Sequence, residues 1–331
     1  MKNTPLYQIP NLSFRYETPA RSLRKTSNKV GFMLCATVAA IYLISFGAQL
    51  YLIGIGYRSG LPKESVAVLN YLFSGMVGLL SMAIPAVLLM LICRIHLSNT
   101  IVSHRVKPLK AISYFFIGTA VCLLANFPAN WISLLFQSFG FQGSPPSIPV
   151  VHSAPAYIMS FLTTAVIPPF VEEFLCRGII LSCFRKYGDT FAVIASAFLF
   201  ALLHRNFAQI VFAFICGLAL GLALVKTNCI WIPTAIHMLV NSFSVSLNII
   251  RSHFSIAVYA AVFYIFILVF VLAALFSVLY LVLKRKEIAA PIPKILSFRS
   301  SMGNLFANPG ILIFTGACIL LSIANLGIFP T

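Results

Sequence analysis

Acidic residues are almost missing from this chain. Of 331 residues six are Asp or Glu, and all charged types together make up 9% against 60% hydrophobic residues. A soluble domain carries about 25% charged residues. A chain this poor in them cannot cover a soluble surface, which excludes a pair of soluble domains and leaves one bundle of membrane helices. No CxxC spacing occurs among the eight cysteines. Cys35, Cys93, Cys122, Cys216 and Cys318 are scattered through apolar runs and read as small buried hydrophobes. There is no HExxH sequence, no internal repeat and no low-complexity tract. The polar start, with Arg15, Arg21, Arg24, Lys25 and Lys29, leads into an apolar run too long for a signal-peptide core and without a cleavage site. That run therefore stays as a membrane helix.

The charge that is present is of one sign: 23 Lys and Arg give a net charge of +17. They fall between apolar runs and form no stripe with interleaved aromatics, so they mark cytoplasmic loops and not a nucleic-acid partner. The expected partner is the lipid bilayer.

A bilayer core needs roughly 20 apolar residues in helical form. Such runs fall at 31–56, 67–93, 111–137, 156–182, 209–225, 230–250, 255–283 and 309–329, with a shorter one at 190–204 that ends at His204. The expected fold is all-α, a polytopic transmembrane bundle of eight or nine helices over residues 30–331, preceded by a basic cytoplasmic tail over 1–29. Alternation puts Arg94, Arg105, Lys107, Lys110, Arg185, Lys186, Lys226 and Lys284–Arg299 on the inside. The loop at 139–153, on the outside in this scheme, has no Lys, Arg, Asp or Glu. Arg58, Lys63, Arg205 and Arg251 run against the trend. The N-terminus is thus expected inside and the C-terminus outside.

Glu17, Glu64, Asp189 and Glu287 lie in or beside loops, whereas Glu172 and Glu173 are neighbours within an apolar segment. A carboxylate in the bilayer costs about 2.5–3.5 kcal/mol even on lenient insertion scales, so function or pairing must retain it. Arg177 is four residues beyond Glu173, on the same helix face, and neutralises it. Glu172 points about 100° away and is left without a local partner. Pro168 and Pro169 just before the pair break the helix, which admits water where the break faces a cavity.

His96, His104 and His253 fit loops or segment ends, and His152 lies in the uncharged loop. His204 and His237 fall within the membrane. His237 and Asn241 share a helix face, as do Phe200 and His204. Counted at the helical rise from their inner ends, Glu172, His237 and His204 lie about 15, 12 and 21 Å deep. Three helices therefore bring polar groups to similar depth. A lone membrane histidine is more often a helix-to-helix hydrogen-bonding residue, but an unpaired glutamate, two histidines and an asparagine together point to one site.

Residues 165–245 resemble the CAAX-protease and bacteriocin-processing family of intramembrane endopeptidases. Its EExxxR motif is matched by Glu172-Glu173-Phe174-Leu175-Cys176-Arg177, its FxxxH motif by Phe200 to His204, and its HxxxN motif by His237 to Asn241 after Trp231, Ile232 and Pro233. Cys176 stands where many bacterial members carry phenylalanine and Lys226 where arginine is common. The second motif lacks the additional histidines of eukaryotic members, which points to the inner membrane of a bacterium.

The resemblance implies hydrolysis of a peptide bond in a membrane-associated or prenylated substrate, with 156–250 as the catalytic core. Glu172 would be the general base towards water, helped by His204. His237 and Asn241 would stabilise the oxyanion. Glu173 and Arg177 would be the supporting pair, and Phe200 a wall. Zinc held by Glu172, His204 and His237 is the alternative. Without HExxH, and with asparagine an unusual zinc ligand, the metal-free form is preferred and no cofactor is expected. A proton-coupled transporter would use the same residue types but favours repeats and dispersed acids. An immunity or scaffold protein without proteolytic activity is a third alternative. A prenylated peptide, a leader peptide and a membrane-anchored regulator all suit such a site.

Overall fold

The computed structural model describes residues 18–59, 62–94, 100–142, 153–284 and 295–328. Residues 1–17 with Arg15 and Glu17, His96, most of the uncharged loop with His152, and the basic run 285–294 with Glu287 lie outside them.

The chain folds as helices: α1 (Pro19–Ser59), α2 (Lys63–Ile92), α3 (Pro108–Leu124), α4 (Asn126–Ser138), α5 (Ala154–Arg185), α6 (Asp189–Leu202), α7 (Phe207–Thr227), α8 (Trp231–His253), α9 (Ile256–Leu283), α10 (Phe298–Phe306) and α11 (Pro309–Ala324). Two two-residue strands, β1 (Phe141–Gln142) and β2 (Gly327–Ile328), pair antiparallel. The starts are written locally. Ser153, Asn206, Ser255 and Asn308 each accept a bond from a backbone N–H in the first turn of the helix that follows, which satisfies a donor the helix cannot. α7 ends at Asn228, whose φ of 49° is the left-handed turn that stops a helix.

Among the described residues six spans are long and apolar enough to cross a membrane, formed by α1, α2, α3 with α4, α5, α7 and α9, and there are seven if the pair α10–α11, bent by 73°, counts as one span. The protein is a multi-pass membrane helix bundle. Two of the nine expected segments are helices that fall short of that measure. α6 has 14 residues, about 21 Å. α8 has 23 residues but carries His237, Asn241, Ser244 and Asn248 along its length. The helix of the basic start begins earlier than the apolar run: α1 is already helical over 19–29, with Leu23 and Ser27 fully buried and Arg24 Nε 2.6 Å from Asn304 Oδ1.

The inner half of α5 occupies the centre. Leu175, Cys176, Ile179, Ile180, Leu181 and Phe184 are fully buried, with this part of α5 packed against α2 and α6. α6 and α7 pack along their lengths, and α7 also contacts α3 and α4. Gly217 permits that approach, because a Cβ there would lie 2.9 Å from Ala197 Cα and Cβ. α8 lies against α3 and the outer half of α5.

Candidate active site

The site begins with a defect in α5. Its backbone is α over Ala154–Phe161, widens to a π-helix over Leu162–Val166, returns to α over Ile167–Glu173 and widens again over Phe174–Leu181. Single π turns inside α-helices frequently accompany functional sites. Pro168 and Pro169 explain the first defect. Neither has an N–H, so the Thr164 carbonyl receives no bond from the turn that follows it. Asn241 Nδ2 donates to that carbonyl at 3.0 Å. The break expected from the prolines is therefore sealed by a side chain from α8, as happens where helix-breaking residues are tolerated in membranes.

One turn further on, the two glutamates diverge. Glu173 is fully buried and its Oε1 lies 2.9 Å from Arg177 Nη1, the i,i+4 pair expected from the spacing. The approach is poorly aligned for a hydrogen bond, so the attraction is chiefly Coulombic. Arg177 is itself fully buried, donates Nη2 to the Gly217 carbonyl at 3.5 Å and lies 4.4 Å above the Phe200 ring. A buried guanidinium is thus held by a carboxylate, a carbonyl and an aromatic face.

Glu173 has a second partner the spacing did not indicate. Its Oε1 is also 2.9 Å from His237 Nδ1. A carboxylate oxygen only accepts, so Nδ1 carries the hydrogen and the other ring nitrogen is turned outward. That nitrogen, Nε2, is 3.6 Å from Glu172 Oε2. Glu172, left without a partner on its own helix, faces the imidazole that Glu173 orients. The separation is longer than a hydrogen bond.

His204 lies just past the end of α6, in a turn closed by its own N–H on the Ala201 carbonyl. Its Nδ1 is 3.2 Å from the Phe200 carbonyl. The Phe200 ring stands edge-on to His204 at 5.0 Å and to His237 at 5.9 Å, so it spaces the two imidazoles apart.

Glu172, His204, His237 and Asn241 all line one cavity of about 510 Å3, together with Phe200 and Thr164. Glu173 and Arg177 lie behind its wall. Every residue singled out in the three sequence motifs is therefore in this cavity or touching a residue that is. The motifs did not reveal Thr164 or Gly217, which act through backbone carbonyls, nor the carboxamides Asn130, Gln209 and Asn248 that line the cavity further out. The steps of three and four from Asn241 through Ser244 to Asn248, and of four from Asn126 to Asn130, were the available signals for that group.

Glu172, His204 and His237 were tested as zinc ligands. Among the described residues no group of three or more His, Cys, Asp or Glu is placed to hold a metal ion. His237 gives Nδ1 to Glu173 and His204 directs Nδ1 at a backbone carbonyl, which leaves Nε2 of each ring as the nitrogen available to a ligand.

Residues 154–243, which contain all seven motif side chains, match the family described as type II CAAX prenyl endopeptidase Rce1-like. A protein of Bacillus subtilis (strain 168) named "Putative membrane peptidase YdiL" is 23% identical over 122 residues, covering 35% of this chain. The chain matches about half of that relative, 49% of its length. No solved structure matches. Over residues 154–243 the chain is therefore similar to the type II CAAX prenyl endopeptidase Rce1-like family.

Proposed function

We propose that the protein is an intramembrane endopeptidase that adds water to a peptide bond of a membrane-associated substrate at the Glu172 cavity. The observation that carries this is the pair of contacts on one imidazole: Glu173 on His237 Nδ1 at 2.9 Å and Glu172 by Nε2 at 3.6 Å, at the wall of a cavity large enough for a peptide.

Glu172 Oε2 takes a proton from a water lying in the cavity, and His204 holds that water from the opposite wall. The oxygen attacks the scissile carbonyl carbon and the carbonyl π bond moves onto oxygen. Asn241 has one Nδ2 hydrogen on Thr164 and a second free to meet the oxyanion. His237 meets it through Nε2 when that nitrogen also carries hydrogen. Glu172 then returns the proton to the leaving nitrogen as the C–N bond breaks, so one water is consumed and one amine and one carboxylic acid are formed. Glu173 and Arg177 act through His237: they fix its ring and tautomer and stay clear of the substrate. All steps run on side chains of this chain, without zinc.

Peptidomics of wild-type cells against a Glu172→Ala strain tests the activity. Peptides lost or gained in the variant are expected, and an unchanged peptidome sinks hydrolysis in favour of transport or a scaffold. Full activity of the purified protein after exhaustive chelation is expected. Loss on chelation with recovery on added zinc would overturn the metal-free mechanism.

A further inference from the structure

The segment that leads into α3 is laid across the turn between α7 and α8. Ile230 donates its backbone N–H to the Val102 carbonyl at 2.8 Å, and His104 donates to the Asn228 carbonyl at 3.1 Å. Ser103 stands opposite Cys229 in the antiparallel bridge these bonds form. The exposed residues His104 and Arg105 are thereby held at the junction of the three helices.

Two lysines reach the same junction from different helices. Lys110 lies in the first turn of α3 and Lys226 in the last turn of α7. α3 packs against both α7 and α8, which brings the two ammonium groups within electrostatic reach of one another. Both side chains are half-buried, so their repulsion is screened less than in open water. The positive-inside rule asks only that basic residues lie on one side of the membrane. It does not ask two of them from separate helices to converge. Among the described residues the acids are engaged elsewhere: Asp189 bonds Arg185, Glu172 and Glu173 meet His237, and Glu64 starts α2 at its far end.

The surface beside the lysines is apolar. Leu109 is 61% exposed, Ile112 49% and Trp231 48%. A small soluble anion would need the cations alone. Cations flanked by a tryptophan and bare aliphatic side chains suit an anion that carries hydrocarbon chains.

We propose that the junction of α3, α7 and α8 is a binding site for the phosphate headgroup of an anionic phospholipid. Lys110 and Lys226 take the phosphate, with Arg105 and His104 beside it, and the acyl chains run along Leu109, Ile112 and Trp231. The bound anion relieves the repulsion between the lysines and ties α3 and α7 to the start of α8, the helix that carries His237 and Asn241. The site is separate from the Glu172 cavity and stands independently of the hydrolytic function.

The chain has two tryptophans, Trp131 and Trp231, so Trp131→Phe leaves Trp231 as the reporter at the junction. The full-length protein is reconstituted in phosphatidylcholine bilayers containing either phosphatidylglycerol or phosphatidylcholine brominated in its acyl chains. Brominated phosphatidylglycerol should quench Trp231 at about fivefold lower mole fraction than brominated phosphatidylcholine, the effect of one cation near an anionic headgroup. Lys110→Gln and Lys226→Gln should each reduce that preference, and together they should abolish it. Lys110→Arg with Lys226→Arg should keep it, which separates charge from folding. Trp231→Phe, with Trp131 retained, reports from α4 and should show no preference. Inorganic phosphate added at constant ionic strength should leave the preference intact. Equal quenching of Trp231 by the two lipids, the same preference at Trp131, or a preference that survives the double glutamine variant overturns the site. Displacement by inorganic phosphate overturns the lipid as its ligand in favour of a free anion.

Discussion

His237 sits between two carboxylates of unequal burial, 0% exposed for the Glu173 side chain and 14% for Glu172. The buried one orients the ring and the less buried one lines the cavity. Arg177 is what makes that division tolerable, because it is the cation that Glu173 meets inside the bundle. Removing one partner of a buried pair leaves an uncompensated charge, at about 3–5 kcal/mol. Arg177→Met should therefore lower the thermal midpoint in nanodiscs by several degrees, and Arg177→Met with Glu173→Gln should recover part of the loss. An unchanged midpoint for the single variant would show that the pair contributes no stability.

A second residue-scale consequence lies at the end of α2, outside the membrane span. The Cys93 thiol is held down to about 7 by a hydrogen bond from Cys183, aided by the positive charges of Lys29 and Lys186 and opposed by burial. A lowered thiol value means that thiolate, the nucleophile, prevails above about pH 7. Alkylation of Cys93 by iodoacetamide, followed by mass spectrometry, should rise with pH through a midpoint near 7, and Cys183→Ala, which removes the donor, should move that midpoint upward. A midpoint in the ordinary thiol range in wild type would remove this account.

At the scale of elements, α5 carries both the acids and the irregular backbone. The prolines open the Thr164 carbonyl, and Asn241 closes it from α8. Pro168→Ala restores an N–H four residues after Thr164 and so competes with Asn241 for its carbonyl. The expected outcome is a thermal midpoint equal to or above wild type with kcat about tenfold lower, a modest share of what an oxyanion donor contributes. Loss of stability with unchanged kcat would mean that the prolines shape packing and not the position of Asn241. α8 is the counterpart element. The polar residues that keep it out of the set of apolar spans are the ones that face the cavity, so its low hydropathy reflects its place beside water inside the bundle.

For the whole molecule the ends of the helices differ in charge. Arg185, bonded to Asp189 at 2.9 Å and to Asn228 at 2.6 Å, gathers the α5–α6 and α7–α8 turns at one end, with Lys186 and Lys226 nearby in sequence. Asn248 and Tyr259 on the cavity rim belong to the other end of α8 and α9. By the positive-inside rule the expected orientation has the basic end cytoplasmic, with Asn248 and Tyr259 towards the opposite face. In intact cells, with other reactive thiols removed, Lys186→Cys should resist a membrane-impermeant maleimide and Ser255→Cys should label. The opposite pattern would invert the orientation.

How much of this was legible before folding depends on range. Composition determined the class, because a chain with six acids and 60% hydrophobic residues has no soluble way to bury its apolar surface. The i,i+4 step from Glu173 to Arg177 was readable, since the two residues lie within about one helical turn. The three motifs named candidate residues, of which Glu172, Phe200, His204, His237 and Asn241 line one cavity. Their mutual arrangement was not readable: Glu173 and His237 are 64 positions apart, and Asn241 and Thr164 are 77. Helical periodicity states which residues share a face of one helix but not how that helix is turned towards another. That rotation comes from packing, such as the close approach Gly217 allows between α6 and α7. The sequence by itself therefore determined that Glu172 and Glu173 would differ. Only the tertiary structure decided that both face one histidine.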